Sequence, residues 1–166
     1  MIAWAGRVLV EVSTSAVVLL PYTPSSVAVA RRRLTADLVS AGIFDSAVGD
    51  AALVVSELLS NAIRHAAPLP GSQVRVTWTL HDDVLRLAVS DAGAGSLPRI
   101  TRAAPSAPGG RGLSIVENLS SHWGVFRDHG ETTVWAVLAA PHVGARAPSL
   151  RTAGGRSAPW PERSVT

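Results

Sequence analysis

Between residues 92 and 112 the chain carries Gly93, Gly95, Pro98, Pro105, Pro108, Gly109, Gly110 and Gly112. Neither a helix nor a strand continues through so many residues that break both. The segment reads as a mobile surface loop, so regular structure has to be sought on either side of it.

Before the loop, Ala16 to Tyr22 is rich in Val and Leu and is closed by Pro21 and Pro24, which predicts a short strand and then a turn into a helix. Ser25 or Ser26 is available to cap that helix. From Val27 to Ala41 the apolar residues Val27, Ala30, Leu34, Leu38 and Ala41 recur at threes and fours, the spacing of an amphipathic helix, and Gly42 ends it. Arg31, Arg32 and Arg33 read as part of its charged exterior. A second helix is expected to start at Asp45 or Ser46, to carry Leu53, Val54, Leu58 and Ile63 as its apolar run, and to stop at Ala66 before Pro68. Val74 to Leu80 and Val84 to Ser90 alternate apolar and polar residues around His81-Asp82-Asp83, which describes a hairpin packed on one face. After the loop, Leu113 to Leu119 opens as a helix directly from the glycines. Trp123 to Arg127 and Thr132 to Leu138 form a last strand pair around Asp128-His129-Gly130. Beyond Pro141 the chain turns to Ala, Pro, Gly, Ser and Arg, the composition of a disordered tail. The expected organisation is an N-terminal extension, 1–15, one domain, 16–140, and a tail, 141–166.

Composition removes several kinds of chemistry. Cysteine is absent, which excludes disulfides, thiolate metal sites and thiol nucleophiles. Lysine is absent as well, so the chain has no phosphate loop ending in Gly-Lys-Ser/Thr, no ion-pairing lysine of the eukaryotic protein-kinase type and no Schiff base. The sequence pI of 10.9 resembles that of a nucleic-acid binder, yet the formal net charge is only +3. Without lysine to titrate near pH ~10, a small surplus of arginine charge persists to high pH, and the pI overstates the basic surface. Direct nucleic-acid binding is not expected. The apolar stretch from Ile2 to Tyr22 is interrupted by Arg7, Glu11 and Ser13-Thr14-Ser15, well short of a membrane span. A cytoplasmic protein with no membrane segment is therefore expected.

The residues able to carry chemistry come in three groups. Glu57 and Asn61, four apart on the second helix, present a carboxylate and an amide from one face. An amide oxygen suits Mg²⁺ alongside phosphate oxygens and water, and a carboxylate can take a proton from an attacking hydroxyl; alone, the pair is far more often just a solvated helix face. Asp91 ends an apolar strand and opens Asp91-Ala92-Gly93-Ala94-Gly95, where backbone of little bulk leaves room for a flat ring. A carboxylate only accepts hydrogen bonds, so it suits the exocyclic amine of adenine and repels the carbonyl of guanine; an Asp-initiated surface turn is the simpler alternative. Gly109-Gly110-Arg111-Gly112-Leu113 precedes an apolar helix, where glycine lets amide N–H groups and the helix dipole meet an anion such as phosphate. Arg99, Arg102 and Arg111 could add charge-assisted bonds, or simply be solvated.

The order of these groups is the distinctive feature. Glu57-Leu58-Leu59-Ser60-Asn61-Ala62-Ile63-Arg64-His65-Ala66, then Asp91-Ala92-Gly93-Ala94-Gly95, then Gly110-Arg111-Gly112-Leu113 closely resemble the N, G1 and G2 boxes of the GHKL ATPases, and Thr133-Val134-Trp135 looks like that family's threonine-bearing strand. The resemblance covers roughly residues 16–140. It implies an α/β Bergerat fold, a two-layer sandwich with helices on one face of a mixed sheet, and ATP held between the helices and a lid, 96–108. It also implies roles: Asn61 as the Mg²⁺ ligand, Asp91 on the adenine amine, Gly93 and Gly95 along the nucleotide wall, Gly110, Arg111, Gly112 and Leu113 around the phosphates, Thr133 at the base, and Glu57 as general base.

Size narrows the branch of the family that the chain resembles. A chain of 166 residues has no room for the transducer domain of gyrase-, MutL- or Hsp90-like members, and its first helix has no phosphoacceptor histidine. What remains looks like the stand-alone anti-sigma-factor serine/threonine kinases. That likeness implies Mg²⁺ and ATP as cofactors, an anti-anti-sigma (STAS-domain) partner phosphorylated on serine, a sigma factor as second partner, and a homodimer. One register stays open: Gly130-Glu131-Thr132-Thr133 has a residue more than the family's usual glycine, any residue, threonine, so Thr132 and Thr133 are both candidates to face adenine.

Overall fold

A computed structural model of the chain describes residues 13–93 and 112–143. Gly95, Gly110, Arg111 and the lid lie outside the described residues, as do 1–12 of the extension and 144–166 of the tail.

The elements follow the periodicities. Strand β1 (Ser13–Pro21) leads to helices α1 (Ser25–Ser40) and α2 (Asp45–His65), then to the hairpin β2 (Gln73–His81) and β3 (Val84–Asp91). Helix α3 (Gly112–Leu119) and the hairpin β4 (His122–Asp128) and β5 (Glu131–Ala139) complete the body. The five strands lie in the order β1-β2-β3-β5-β4. Alternation decides which face is covered: Val74, Val76, Trp78 and Leu80 of β2, Leu85, Leu87 and Val89 of β3, and Val134, Ala136 and Leu138 of β5 are all buried toward the helices. Arg75, Thr77 and Thr79 alternate with them on the other face and are only partly buried. The two-layer sandwich expected from the sequence therefore forms.

Three expectations need correction. The sheet is not mixed: every described strand pairing is antiparallel. β3 and β4 do run in one direction, but the β4–β5 hairpin folds β5 into the space between them. Neither Ser25 nor Ser26 caps α1 through its side chain, because Pro24 occupies the N-cap; the Ser26 hydroxyl instead donates to the Pro21 carbonyl at 2.6 Å. Leu53 is 43% exposed. The buried stripe of α2 runs through Ala51, Val55, Leu58 and Ala62, and Leu53 lies roughly half a helical turn from it.

The core is anchored by Trp78, whose indole N–H donates to the Asp37 carboxylate of α1 at 2.9 Å, so a large buried aromatic keeps its one polar atom paired. Helix α2 is long and apolar enough to cross a bilayer by length and composition, yet its apolar stripe packs on the sheet while Asp45, Asp50 and Arg64 are exposed. Asp45 in the first turn and Arg64 and His65 in the last complement the helix dipole.

Candidate functional site

Asp91 is the last residue of β3 and is only 3% exposed. The apolar residues before it on the same face carry it into the body, where one carboxylate oxygen accepts the Gly93 N–H at 2.7 Å. Burial pushes its carboxyl above the ordinary carboxylate range, while the Gly93 bond and the charge of Arg127 pull it part of the way back. Gly93 has φ +83°, and a Cβ there would sit 2.9 Å from the Thr132 hydroxyl, so this turn tolerates only glycine without strain. Bare backbone beside a buried carboxylate is the cradle expected of a site for a flat, amine-bearing ring.

The register of β5 resolves the two threonines. Thr132 lies opposite Asp91 and shares its face with Val134, Ala136 and Leu138. Thr133 points to the other side of the sheet, where its hydroxyl lies 2.7 Å from that of Ser90. Strand alternation thus removes Thr133 from the group around Asp91 and puts Thr132 there.

The second group forms where α3 begins. A Cβ on Gly112 would meet Glu57 Oε2 at 2.6 Å and the Asn61 amide at 3.3 and 3.5 Å. The motif glycine, the carboxylate and the amide therefore converge on one point, with Leu113 buried beside them. The solvated-face alternative for Glu57 and Asn61 does not describe this arrangement, since both are partly buried against a neighbouring helix. Among the described residues no group of three or more His, Asp or Glu could hold a metal by itself. A single neutral amide oxygen beside a helix that opens on glycine fits Mg²⁺, which keeps most of its water and takes few ligands from protein.

Main-chain bonds join the two groups. The Ala67 N–H donates to the Gly93 carbonyl and the Ala92 N–H to the Ala67 carbonyl, both at 2.9 Å, so the residue just past α2 is stitched to the turn after β3. Tyr22 secures the same corner: its phenol donates to the carbonyls of Ala62 and Ala66, the latter at 2.7 Å. Burial and the neighbouring Asp91 charge raise the phenol above its ordinary value, keeping it protonated and a donor. Tyr22→Phe is expected to cost about 1–2 kcal/mol and to weaken nucleotide binding severalfold, measured by thermal unfolding and calorimetric titration; unchanged stability would mean the two carbonyls are satisfied by water.

Sequence reasoning missed Tyr22 and Arg127. Tyr22 has no local signal, because its partners are main-chain atoms of a distant helix. Arg127 had one: it follows Trp123 and Val125 at the parity of core residues, and a charged residue in that position is worth noting.

The family model for the histidine kinase-like ATPase domain matches residues 20–138. Serine-protein kinase RsbW of Listeria monocytogenes is 28% identical over 128 residues, covering 69% of this chain and 81% of the relative, and RsbW of Listeria innocua matches to the same extent. Among solved structures, the RsbU and RsbW domains of a Mycobacterium tuberculosis protein superpose with a TM-score of 0.60 at 21% identity, covering 78% of this chain and 34% of that one. The present chain thus spans about a third of that longer protein. The resemblance drawn from the three boxes is borne out, and the match runs through α2, the β3 turn and α3, the elements that build the site: the chain belongs to the histidine kinase-like ATPase domain family.

Proposed function

We propose that the protein is an ATP-dependent serine kinase that binds Mg²⁺–ATP between α2 and the end of β3 and phosphorylates a serine of an anti-anti-sigma (STAS-domain) partner. A sigma factor is the protein it holds in alternation with that partner, and it works as a homodimer in the cytoplasm. One observation carries this reading: Glu57, Asn61 and Gly112 meet at one point, Asp91, Gly93 and Thr132 meet at another, and the main-chain bonds at Ala67 join the two. The name of the relatives, serine-protein kinase, supports the choice of reaction. Gly95, Gly110 and Arg111 enter through the motif alone.

The chemistry assigns each residue a task. Asp91 accepts from the base amine, and Asn61 offers its amide oxygen to Mg²⁺, whose charge offsets that of the phosphates when bound. The partner's serine oxygen forms a bond to the γ-phosphorus, the bond to the bridging oxygen breaks, and ADP leaves. Glu57 takes the serine proton. Little covalent work falls to the protein, so the rate rests on positioning, which the packing of Glu57 against α3 supplies.

Incubation with γ-labelled ATP and a lysate of the source organism is expected to label one small protein on serine. Glu57→Gln is expected to lower that labelling by at least about 100-fold while ATP affinity changes little. If ATP binds normally and no label appears with the intact chain, the protein is instead a module whose ATP occupancy gates partner binding.

A further inference from the structure

Three strands end an apolar row with a polar residue, and the three polar ends are neighbours. On β3, Leu85, Leu87 and Val89 lead to Asp91; on β5, Leu138, Ala136 and Val134 lead to Thr132; on β4, Trp123 and Val125 lead to Arg127. The registers set Asp91 opposite Thr132 and Thr132 opposite Arg127. A carboxylate, a hydroxyl and a guanidinium therefore cross the sheet in one line on the face that carries the helices. Arg127 Nε–H donates to the Thr132 hydroxyl oxygen at 3.1 Å, and the Arg127 charge is felt at Asp91.

The direction of that bond has a chemical consequence. A guanidinium only donates and stays charged at all working pH values. It occupies a lone pair of the Thr132 oxygen and polarises the hydroxyl, which becomes a better donor and a poorer acceptor. The Thr132 proton is left uncommitted among the described residues, and one Asp91 oxygen is left beyond the Gly93 bond. The row offers an acceptor beside a donor. A 6-aminopurine has the complementary edge, an amine donor beside the N1 acceptor; a 6-oxopurine has the reverse, a carbonyl acceptor beside an N1–H donor.

We propose that Arg127 is a positioning residue for base selectivity: by donating to Thr132 it fixes that hydroxyl as a donor beside Asp91, and so makes the site reject 6-oxopurines. This rests on the nucleotide-binding reading above. Without Arg127 the hydroxyl is free to rotate and accept from N1–H, and one of the two mismatches that exclude a 6-oxopurine disappears.

The test is calorimetric titration of the full chain with Mg²⁺–ATP and Mg²⁺–ITP, which differ only at the 6-substituent and the N1 proton. The native chain should prefer ATP. Arg127→Met should lower the ATP-to-ITP affinity ratio by at least about tenfold, with ITP affinity held or improved, and Arg127→Lys, which restores a charged donor, should recover part of the ratio. Unfolding curves of each variant confirm that it is folded. An unchanged ratio in folded Arg127→Met, including an equal loss for both nucleotides, overturns the proposal and leaves the nucleotide reading intact. Absence of ATP binding by the native chain overturns both.

Discussion

Asp91→Asn is expected to weaken Mg²⁺–ATP binding about 100-fold while leaving the protein as stable as before, or more so, at neutral pH. The asparagine oxygen can still accept the Gly93 N–H, so the turn keeps its bond. The other carboxylate oxygen becomes an NH₂ group that faces the adenine amine donor to donor. A charged hydrogen bond is lost and a repulsion takes its place, a fall in affinity of about two orders of magnitude. Stability moves the other way. Because burial raises the Asp91 carboxyl in the folded state, the folded chain holds that proton more tightly than the unfolded one. Below the ordinary carboxylate value both states are protonated and no penalty applies. As pH rises through the raised folded value, the folded state has to ionise a buried group and stability is lost. Asparagine never ionises, so the melting temperatures of the two proteins should coincide near pH ~3.5 and separate in favour of the variant toward pH ~7.5. A variant that melts several degrees lower yet still binds ATP would reduce Asp91 to a turn residue.

Gly112→Ala is expected to remove phosphoryl transfer from a well-folded protein. Alanine favours a helix over glycine by up to about 1 kcal/mol, so the backbone gains from the change. The added methyl, however, would lie 2.6 Å from Glu57 Oε2 and 3.3 Å from the Asn61 amide nitrogen. Both belong to the far ends of side chains, and the fold yields by swinging them aside. That displaces the proposed base and the Mg²⁺ ligand together, and a shift of about 1 Å in a reacting group costs on the order of 100-fold in rate. Labelling of the partner, far-UV circular dichroism and a thermal melt check the three parts of this expectation. Full transfer activity would mean that Glu57 works from a position that Gly112 does not limit.

Much of this was legible along the chain because it is local. Helix periodicity, hairpin alternation and the glycines that close or open elements are set by neighbours in sequence, and both hairpins and all three helices fall within a few residues of their expected bounds. What depends on pairing was not. The choice between Thr132 and Thr133 turns on the β4–β5 hairpin, where His129 and Gly130 both take positive φ and Asp128 pairs with Glu131. A two-residue turn of that kind sets Thr132 opposite Arg127, and counting from the turn would have decided it. The antiparallel sheet likewise follows from where a hairpin inserts, which no local pattern records. Leu53 shows the limit of composition: a leucine on a helix is core only if its angle agrees.

The bonds that Ala67 makes to Ala92 and Gly93 are main chain to main chain, and no side-chain substitution in this segment deletes them as long as proline is avoided. Selection can retune the base end through Asp91 or Thr132, and the phosphate end through Glu57 or Asn61, but the distance between the two ends is written in the number of residues that leave α2. Substitutions here change what the corner touches; only an insertion or a deletion changes how far apart its two halves stand.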